Sequence, residues 1–319
     1  MRVWVSGGGG FVGGAVIRTL LARGDKVVAA MRDPRRAPSD FANLGVELVA
    51  DDLSDVGATT EYLKGADGLI HAAGSYRIGI PRSEHGRMWD ANVGTTTRVL
   101  DAAEAAGIPR IVYVSTVNVF GNTHGQTVDE TYRRDLREDF LSWYDETKYG
   151  AHEVAQQRIA DGDPIVIVMP SQVYGPGDHS GFGEQMRLAF EGRLRYRAVD
   201  DVGVNLVHVD DLAAGIVAAL DRGRARESYV LAGPAISLRE AVDLAAAIGE
   251  HRPPSLRMPT SLLRLLAPAG GLIGQPNIRE VIAASAGVTY WAGHDKATAE
   301  LGFEPRPIEA GLRDTFRPA

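Results

Sequence analysis

Short apolar runs alternate with longer segments of helical character over the first half of the chain. The apolar runs are rich in Val and Ile, and they predict strands at residues 3–5, 26–30, 46–49, 68–72, 111–115 and 165–169. The segments between them predict helices at residues 11–23, 54–64, 84–106 and 144–160. Strands that are apolar along their whole length are buried on both faces, so the alternation predicts a parallel sheet with helices on both sides.

The composition is typical of a globular protein and argues against several kinds of partner. Of the 319 residues, 45% are hydrophobic and 24% are charged, and the net charge is -7 without any basic run. We therefore expect neither a nucleic acid nor a membrane as a partner. The chain has no cysteine and no His, Asp or Glu spacing typical of a metal site, so we expect no metal. Met1 leads into an apolar strand rather than a signal peptide, which predicts a cytoplasmic protein.

Three glycines follow the first predicted strand, at the start of the first predicted helix. Gly7, Gly10 and Gly13 form the pattern G-x-x-G-x-x-G, with Phe11 and Val12 inside it. A bound phosphate needs exposed backbone N–H groups and the positive end of a helix, and side chains would block its approach. We predict that these five residues hold the pyrophosphate of a dinucleotide.

A dinucleotide site after the first strand predicts a Rossmann-type α/β fold, a doubly wound parallel sheet. The alternation ends near residue 170, where the Gly/Pro-rich segment PSQVYGPGDHSGFG begins, and this predicts a smaller, mostly C-terminal substrate lobe. We assign residues 1–170 to the dinucleotide-binding domain, with a contribution from 200–232, and residues 171–199 and 233–319 to the smaller lobe.

The end of the second strand indicates which dinucleotide is bound. A carboxylate there would bind the ribose 2′-hydroxyl and repel a 2′-phosphate, but this chain has Met31, followed by Arg32, Arg35 and Arg36. The pattern favours NADP(H), with NAD(H) still possible. Arg32 is the first candidate for the 2′-phosphate and Arg36 the second, unless the carboxylate of Asp33 turns inward.

A tyrosine and a lysine are the candidate catalytic pair. Tyr144 and Lys148 are four residues apart, so they share one face of a helix. A free tyrosine has a pKa of about 10, and we expect Lys148, with an oxidised nicotinamide, to lower it enough for proton transfer. Ser115 and Thr116 end the fifth strand, at the edge where such sheets bind ligands, and either could hold the reacting oxygen.

Together these segments resemble the extended short-chain dehydrogenase/reductase family, also called the NAD-dependent epimerase/dehydratase family. The matching segments are GGGGFVG (7–13), DDL (51–53), HAAG (71–74), NVGTTTRVL (92–100), VSTVNVFG (114–121), YDETK (144–148), PSQVYGPGD (170–178) and VHVDDLA (207–213). The resemblance implies a catalytic triad of a hydroxyl, Tyr144 and Lys148. Counting back from Gly121, Thr116 matches the family's hydroxyl position, and Ser115 remains a contender.

The resemblance also implies cofactor contacts at the ends of several strands. These are Asp52 and Leu53 near the adenine, Ala72, Ala73 and Gly74 along the cofactor trough, Pro170 and Val173 near the nicotinamide, and Tyr144 and Lys148. The helices at 84–106 and 144–160 are implied to pair across a two-fold axis in a homodimer, although a role in the core would explain their apolar faces equally well.

Two departures from the family pattern bear on the substrate, which we expect to be a small molecule. Val204 stands where sugar-nucleotide members carry an arginine for the substrate diphosphate, and Gln172 replaces their asparagine. A diphosphate desolvated without cationic partners costs several kcal/mol. A sugar nucleotide is therefore disfavoured unless Arg187, Arg193 or Arg195 compensates.

The segments MRDP and LVHVDDLA resemble the dihydroflavonol reductase and hydroxysteroid dehydrogenase branch of the family. The working hypothesis is an NADP(H)-dependent oxidoreductase that interconverts a carbonyl and a secondary alcohol on a moderately apolar molecule. The alternatives are a sugar epimerase or dehydratase with transient oxidation, and a cofactor-sensing protein without catalysis. His124, Glu130, His179 and Tyr76 are weaker candidates for the substrate cavity.

Overall fold

The computed structural model describes residues 1–267 and 277–316 and contains a central, fully parallel sheet. The strands are β1 (Arg2–Ser6), β2 (Lys26–Met31), β3 (Glu47–Ala50), β4 (Gly68–His71), β5 (Ile111–Val114), β6 (Ile165–Pro170), β7 (Gln172–Tyr174), β8 (Arg197–Ala198), β9 (Gly203–His208), β10 (Ser228–Leu231), β11 (Ala235–Ser237) and β12 (Arg257–Met258). Seven of them form the central sheet in the order β10-β6-β5-β4-β1-β2-β3. The order reverses on either side of β1, which is the doubly wound arrangement expected from the sequence.

Helices cover both faces of this sheet. They are α1 (Phe11–Ala22), α2 (Asp40–Leu44), α3 (Val56–Leu63), α4 (His85–Trp89), α5 (Thr95–Ala105), α6 (Trp143–Asp161), α7 (Gly181–Phe190), α8 (Val209–Arg222), α9 (Leu238–Ile248), α10 (Thr260–Leu266), α11 (Ile278–Ala283), α12 (Asp295–Leu301) and α13 (Ile308–Phe316). Alternate residues of β1 enter different cores: Val3 and Val5 pack with α1 and α8, whereas Trp4 packs with α3, α5 and α6. The Rossmann-type α/β fold is confirmed.

The single helix expected over residues 84–106 is wrong. Helix α4 passes into a π-helical turn, Asp90–Gly94, before α5 begins. The wide turn directs Asn92 inward, where its amide accepts from Ser75 N at 2.7 Å and donates to Ser75 O at 3.1 Å and Thr147 Oγ1 at 2.8 Å. The π turn therefore serves to fasten the loop after β4 to α6.

Smaller sheets follow the end of β6, in a region where no strand was predicted beyond residue 169. β7 starts two residues after Pro170 and pairs in parallel with β9, which pairs antiparallel with β11. β8 and β12 pair separately. Between these pieces the chain returns to the central sheet, where β10 extends it with Leu231 opposite Pro170.

The turn from β1 to α1 brings backbone against backbone. Gly7 has φ +69°, and a Cβ there would lie 2.9 Å from the backbone N and Cα of Ala73. A Cβ on Gly13 would overlap the Gly7 carbonyl oxygen, while Gly10 N donates to that oxygen at 2.9 Å. Only glycine permits this approach, because any side chain must displace backbone rather than a flexible neighbour.

We expect Gly13→Ala to destabilise the protein by about 1–3 kcal/mol, the usual cost of inserting a methyl group into packed structure. Urea unfolding measures this change. Gly86→Ala is the matched control, since a Cβ there meets nothing within 4 Å, and α4 should tolerate alanine. Equal stability of the two variants would show that the turn relaxes without cost.

Candidate functional site

The backbone after β4 is held by a buried hydrogen-bonded pair. Ser6 Oγ accepts from the N–H groups of Ala72 and Ala73, both at 3.1 Å, and lies 2.7 Å from His71 Nδ1. Burial lowers the pKa of His71 to about 3, so its ring is neutral. Because Ser6 already accepts two hydrogen bonds, its own hydrogen goes to Nδ1, and Nε2–H donates to Thr96 at 3.1 Å. The predicted cofactor trough at Ala72 and Ala73 is thus rigid, with Gly74 between it and the segment fastened by Asn92.

The arginines after β2 remain accessible. Arg32 and Arg36 are exposed, and neither forms an ion pair within residues 1–267 and 277–316. The carboxylate of Asp33 instead pairs with Arg35 at 2.9 Å, and this hydrogen bond lowers the pKa of Asp33. The carboxylate that could have opposed a 2′-phosphate is therefore neutralised by its own neighbour.

The segment after β3 contains a strained residue. Leu53 is buried with φ +64°, a conformation that side chains other than glycine rarely adopt. Arg98 Nε donates to its carbonyl at 2.8 Å, and Asp52 accepts from Ser54 N at 3.0 Å. Strain of this kind is common where backbone is held for a ligand. The strained Leu53 lies in the segment that the family resemblance places near the adenine of the cofactor, and contact with the adenine stays a prediction.

The candidate catalytic hydroxyl and tyrosine meet at the carboxyl end of β5. Helix α6 begins there, with Ser142 Oγ accepting from Asp145 N at 3.0 Å. Tyr144 is buried, and Thr116 lies near enough to its phenol to lower the Tyr144 pKa. The hydroxyl of Ser115 instead lies 3.0 Å from His152 Nδ1. The structure thus brings Thr116, and not Ser115, to the tyrosine.

Burial dominates the electrostatics of this site. It raises the pKa of Tyr144 well above its ordinary value, against the smaller lowering effect of Thr116. It also lowers the pKa of Lys148 to about 8. The ammonium of Lys148 donates to Val114 O at 3.2 Å and lies over the Tyr113 ring at 5.3 Å. In this structure desolvation outweighs any lowering of the Tyr144 pKa by Lys148, which contacts the strand instead. The lowering expected from Lys148 together with an oxidised nicotinamide stays a prediction.

A cavity of about 490 Å³ lies next to these residues, because its wall contains Tyr76 and Asn118, which contact Tyr144 and Thr116 respectively. Tyr76, a wall residue, packs its ring edge-on against Tyr144 with centroids 4.8 Å apart. Both departures from the sugar-nucleotide pattern, Val204 and Gln172, also line the wall. The rest of the wall combines apolar side chains with amides, hydroxyls, a histidine and an arginine: Ile78, Ile80, Pro81, Val117, Phe182, Val199, Val202, Leu238, Val281, Ala284, Asn118, Gln185, Asn205, Ser180, Ser285, Tyr290, His179 and Arg77.

Of the weaker cavity candidates, the structure places two in the wall and two elsewhere. Tyr76 and His179 line the cavity. His124 pairs with Glu138 on the surface at 3.1 Å, and Glu130 accepts from Val230 N at 2.7 Å, so the prediction for these two is wrong. Both are polar residues in a loop, and the sequence carries no signal of which way such a loop folds.

Two further polar residues beside Tyr144, Asn118 and Asp145, were not predicted to have a functional role. Asn118 Nδ2 donates to Asp145 Oδ1 at 2.9 Å, and the Asn118 side chain also contacts Thr116. The sequence gives only a weak indication of their role, because Asn118 is one polar residue in an apolar run and Asp145 lies within the segment from Tyr144 to Lys148.

Outside this site, one cluster of a histidine and two aspartates among the described residues has side chains close enough together to hold a metal ion. Ligand atoms of His208, Asp210 and Asp314 lie within 4.8 Å of one another. Arg306 pairs with Asp314 at 2.7 Å and with Asp211 at 2.7 Å, and Asp210 N donates to His208 Nδ1 at 3.3 Å. The arginine supplies the positive charge here, and the group closes the start of α8, where acidic residues suit the helix dipole.

The chain matches the model of the NAD dependent epimerase/dehydratase family over residues 3–232. It belongs to this family. A Synechocystis sp. protein, provisionally named as a dihydroflavonol 4-reductase, is 32% identical over 98% of this chain and 92% of its own length. The 2-alkyl-3-oxoalkanoate reductase of Stenotrophomonas maltophilia is 31% identical over 98% of both chains. The dTDP-glucose 4,6-dehydratase of Streptomyces venezuelae, crystallised with NAD, aligns with TM-score 0.80 at 23% identity over 99% and 96% of the chains.

The family membership makes the chain an oxidoreductase of the extended short-chain dehydrogenase/reductase type, with a nicotinamide dinucleotide as cofactor. The residues present fit this group: glycines clear the β1–α1 turn, and the neighbouring trough is pinned by Ser6 and Asn92. No helix among the described residues is long and apolar enough to cross a membrane.

The buried lysine should reduce the stability of the fold at neutral pH. Its pKa is lowered from 10.5 to about 8, so its charge costs about 3 kcal/mol below pH 8, and the cost disappears as the pH rises towards 10.5. We expect Lys148→Met to raise the free energy of unfolding at pH 7, by about 1–3 kcal/mol. The gain should shrink between pH 8 and 10.

Urea unfolding across this pH range measures the effect. Lys26→Met is the matched control, because Lys26 is exposed at the start of β2 and its substitution should change stability little at any pH. A Lys148→Met variant that is less stable than the parent at pH 7 would contradict the interpretation.

Proposed function

We propose that the protein is an NADP(H)-dependent reductase that interconverts a ketone and a secondary alcohol on a small, moderately apolar substrate. The observation that carries the proposal is the pairing of Thr116 and Tyr144 next to a cavity whose wall has Val204 in place of a diphosphate-binding arginine. The relatives at 31–32% identity support it, because both are named as reductases.

The charge of the cavity argues against a sugar nucleotide. Among the lining residues that the structure describes, Arg77 is the one arginine, and it pairs with Glu84. Arg187 and Arg193 are absent from the wall and pair with Glu191 on the surface. Arg195 does not line the cavity either. A diphosphate would thus lose its hydration without gaining a free cation.

The protonation states of the site suit carbonyl reduction. The reduced nicotinamide supplies the hydride that the carbonyl carbon receives. Burial keeps Tyr144 protonated at neutral pH, so its hydroxyl is a donor positioned to give its proton to the carbonyl oxygen. In this proposal Thr116, beside Tyr144, orients that oxygen. Lys148, which donates to Val114 O, would hold the cofactor ribose and carries positive charge below pH 8.

The preference for NADP(H) is supported by the free arginines after β2. Arg32 and Arg36 are exposed and unpaired within the described part of the chain, and Met31 supplies no carboxylate to bind a ribose 2′-hydroxyl. Guanidinium groups bind phosphate with two parallel hydrogen bonds. Both arginines are therefore available to a 2′-phosphate.

Tyr144→Phe should lower kcat for ketone reduction by about 10²–10⁴-fold, the usual contribution of a positioned acid. The test is NADPH oxidation with a panel of ketones, aldehydes and alcohols. Tyr149→Phe, on the same helix but against Arg134, is the matched control and should keep its activity. Near-normal turnover by a folded Tyr144→Phe variant would refute the assignment. Copurified NAD that does not exchange, without net reduction of any carbonyl, would favour an epimerase or dehydratase.

Arg32→Ala should weaken NADPH binding about 10–100-fold, as expected for loss of a hydrogen bond between charged groups, and should leave NADH binding nearly unchanged. Arg36→Ala should have a smaller effect in the same direction. Titration of protein fluorescence with each cofactor gives both affinities. Arg313→Ala is the control, because this arginine pairs with Glu309 on α13, away from the end of β2. Equal losses for NADPH and NADH would count against a 2′-phosphate contact.

A further inference from the structure

A completely buried carboxyl group follows the candidate catalytic tyrosine. The side chain of Asp145 is inaccessible to solvent, and its Oδ1 accepts from Asn118 Nδ2 at 2.9 Å. Its Oδ2 is also buried and makes no hydrogen bond of ordinary geometry with the described residues. A carboxyl group in such a place must have a compensating role in folding or in chemistry, because its desolvation is costly.

Asn118 connects this carboxyl group to the candidate catalytic hydroxyl. While Nδ2 donates to Asp145, the Asn118 Oδ1 accepts from Thr116 Oγ1 at 3.1 Å. The backbone N of Asn118 donates to the same Thr116 oxygen at 3.2 Å. The amide therefore links two groups of different chemistry, one titratable and one predicted to touch the substrate.

The ionisation of Asp145 decides which atom donates in each of these hydrogen bonds. An ionised carboxylate only accepts, so it takes the amide N–H₂ of Asn118 and leaves the amide oxygen for Thr116. Thr116 has one hydrogen, which it gives to that oxygen. Its remaining lone pair can then only accept, so any hydrogen bond between Thr116 and the nearby Tyr144 is donated by the phenol. In this arrangement Thr116 is an acceptor toward the site.

The surroundings of Asp145 allow it to change protonation near neutral pH. Burial raises its pKa to about 7, against the lowering effects of Asn118, Ser142 and the charge of Arg134, while Glu280 adds to the rise. The negative charge of Asp145 also raises the pKa values of three phenols near it: the buried Tyr144 and Tyr290, and Tyr76, which is half exposed.

On the basis of the proposed carbonyl–alcohol chemistry, we propose that Asp145 is a positioning residue that sets, through Asn118, whether the Thr116 hydroxyl donates to the substrate oxygen or accepts from it. When Asp145 takes a proton from the solvent, its O–H donates to Asn118 Oδ1 and the amide turns over. Asn118 Nδ2 then donates to Thr116 Oγ1, and the Thr116 hydrogen is released toward a substrate carbonyl. The protonated form thus favours ketone binding, and the ionised form favours alcohol binding.

The switch can be tested without turnover. In the full-length protein with ¹³C-labelled aspartate, one carboxyl signal that is absent from Asp145→Asn should titrate near pH 7. The ¹⁵N signals of the Asn118 side-chain amide, assigned with Asn118→Ala, should shift with the same midpoint. Asp161→Asn, at the exposed end of α6, is the control and should remove a different signal. An Asp145 signal that titrates near pH 4, or an Asn118 amide that does not follow it, would overturn the proposal.

Kinetics then separate this proposal from the proposed function. In the parent protein, KM for a ketone should rise about 10-fold as the pH passes through the Asp145 midpoint, the effect of one hydrogen bond, with a smaller change in kcat. Asp145→Asn should abolish this dependence on pH, while Lys148 is retained and continues to titrate. If Asp145→Asn fails to fold, Asn118→Ala should abolish the dependence instead. If KM keeps its pH dependence in Asp145→Asn, the switch is refuted and the proposed reductase activity is unaffected. If Asp145 and Asn118 titrate together but the protein reduces no carbonyl, the switch is supported and the proposed reductase activity is refuted.

Discussion

The contact of the glycine turn after β1 with the backbone after β4 is the constraint on which the site depends. Gly7 approaches Ala73 so closely that a single added carbon atom would lie 2.9 Å from its backbone. Ser6 and His71 maintain this contact through hydrogen bonds that require a neutral imidazole. Because β1, β4 and β5 are neighbours in a parallel sheet, their carboxyl ends meet at one edge, and the hydroxyl of Thr116 is delivered beside the same trough.

Desolvation at that edge raises the pKa values of acidic groups and lowers that of the lysine. It favours the neutral form of each, so Tyr144 stays a proton donor, while Lys148 loses its proton near pH 8 and Asp145 gains one near pH 7. The same burial destabilises the fold by placing ionisable groups out of water. A site that combines such groups within one helix turn is thus better explained by chemistry than by stability.

The sequence was sufficient to predict the fold and the main candidates, because these depend on local patterns. Apolar runs located the first six strands of the sheet within a residue or two, and the glycine spacing marked the turn after β1. The π turn at Asn92 could not be predicted, since helical periodicity is compatible with an unbroken helix there. The depth of Tyr144 could not be predicted either, because a spacing of four residues shows that Lys148 shares its helix face, but not how deeply both are buried. The contact of Asn118 with Asp145 joins residues 27 apart and leaves no periodic signal.

The structure separates the candidate reacting groups from the residues that we propose select the substrate. Tyr144, Thr116 and Lys148 lie on α6 and at the end of β5, which the central sheet holds in place. The part of the cavity wall that departs from sugar-nucleotide members comes from β7 and β9, in a smaller sheet. Within β9, Asn205 is fixed by hydrogen bonds to Gly233 O and Ala292 N, at 2.8 and 2.9 Å, whereas the neighbouring Val204 has no polar group to satisfy. A substitution at position 204 therefore changes the charge of the wall without removing a side-chain hydrogen bond from the sheet, so the wall can vary while the candidate reacting groups stay in place.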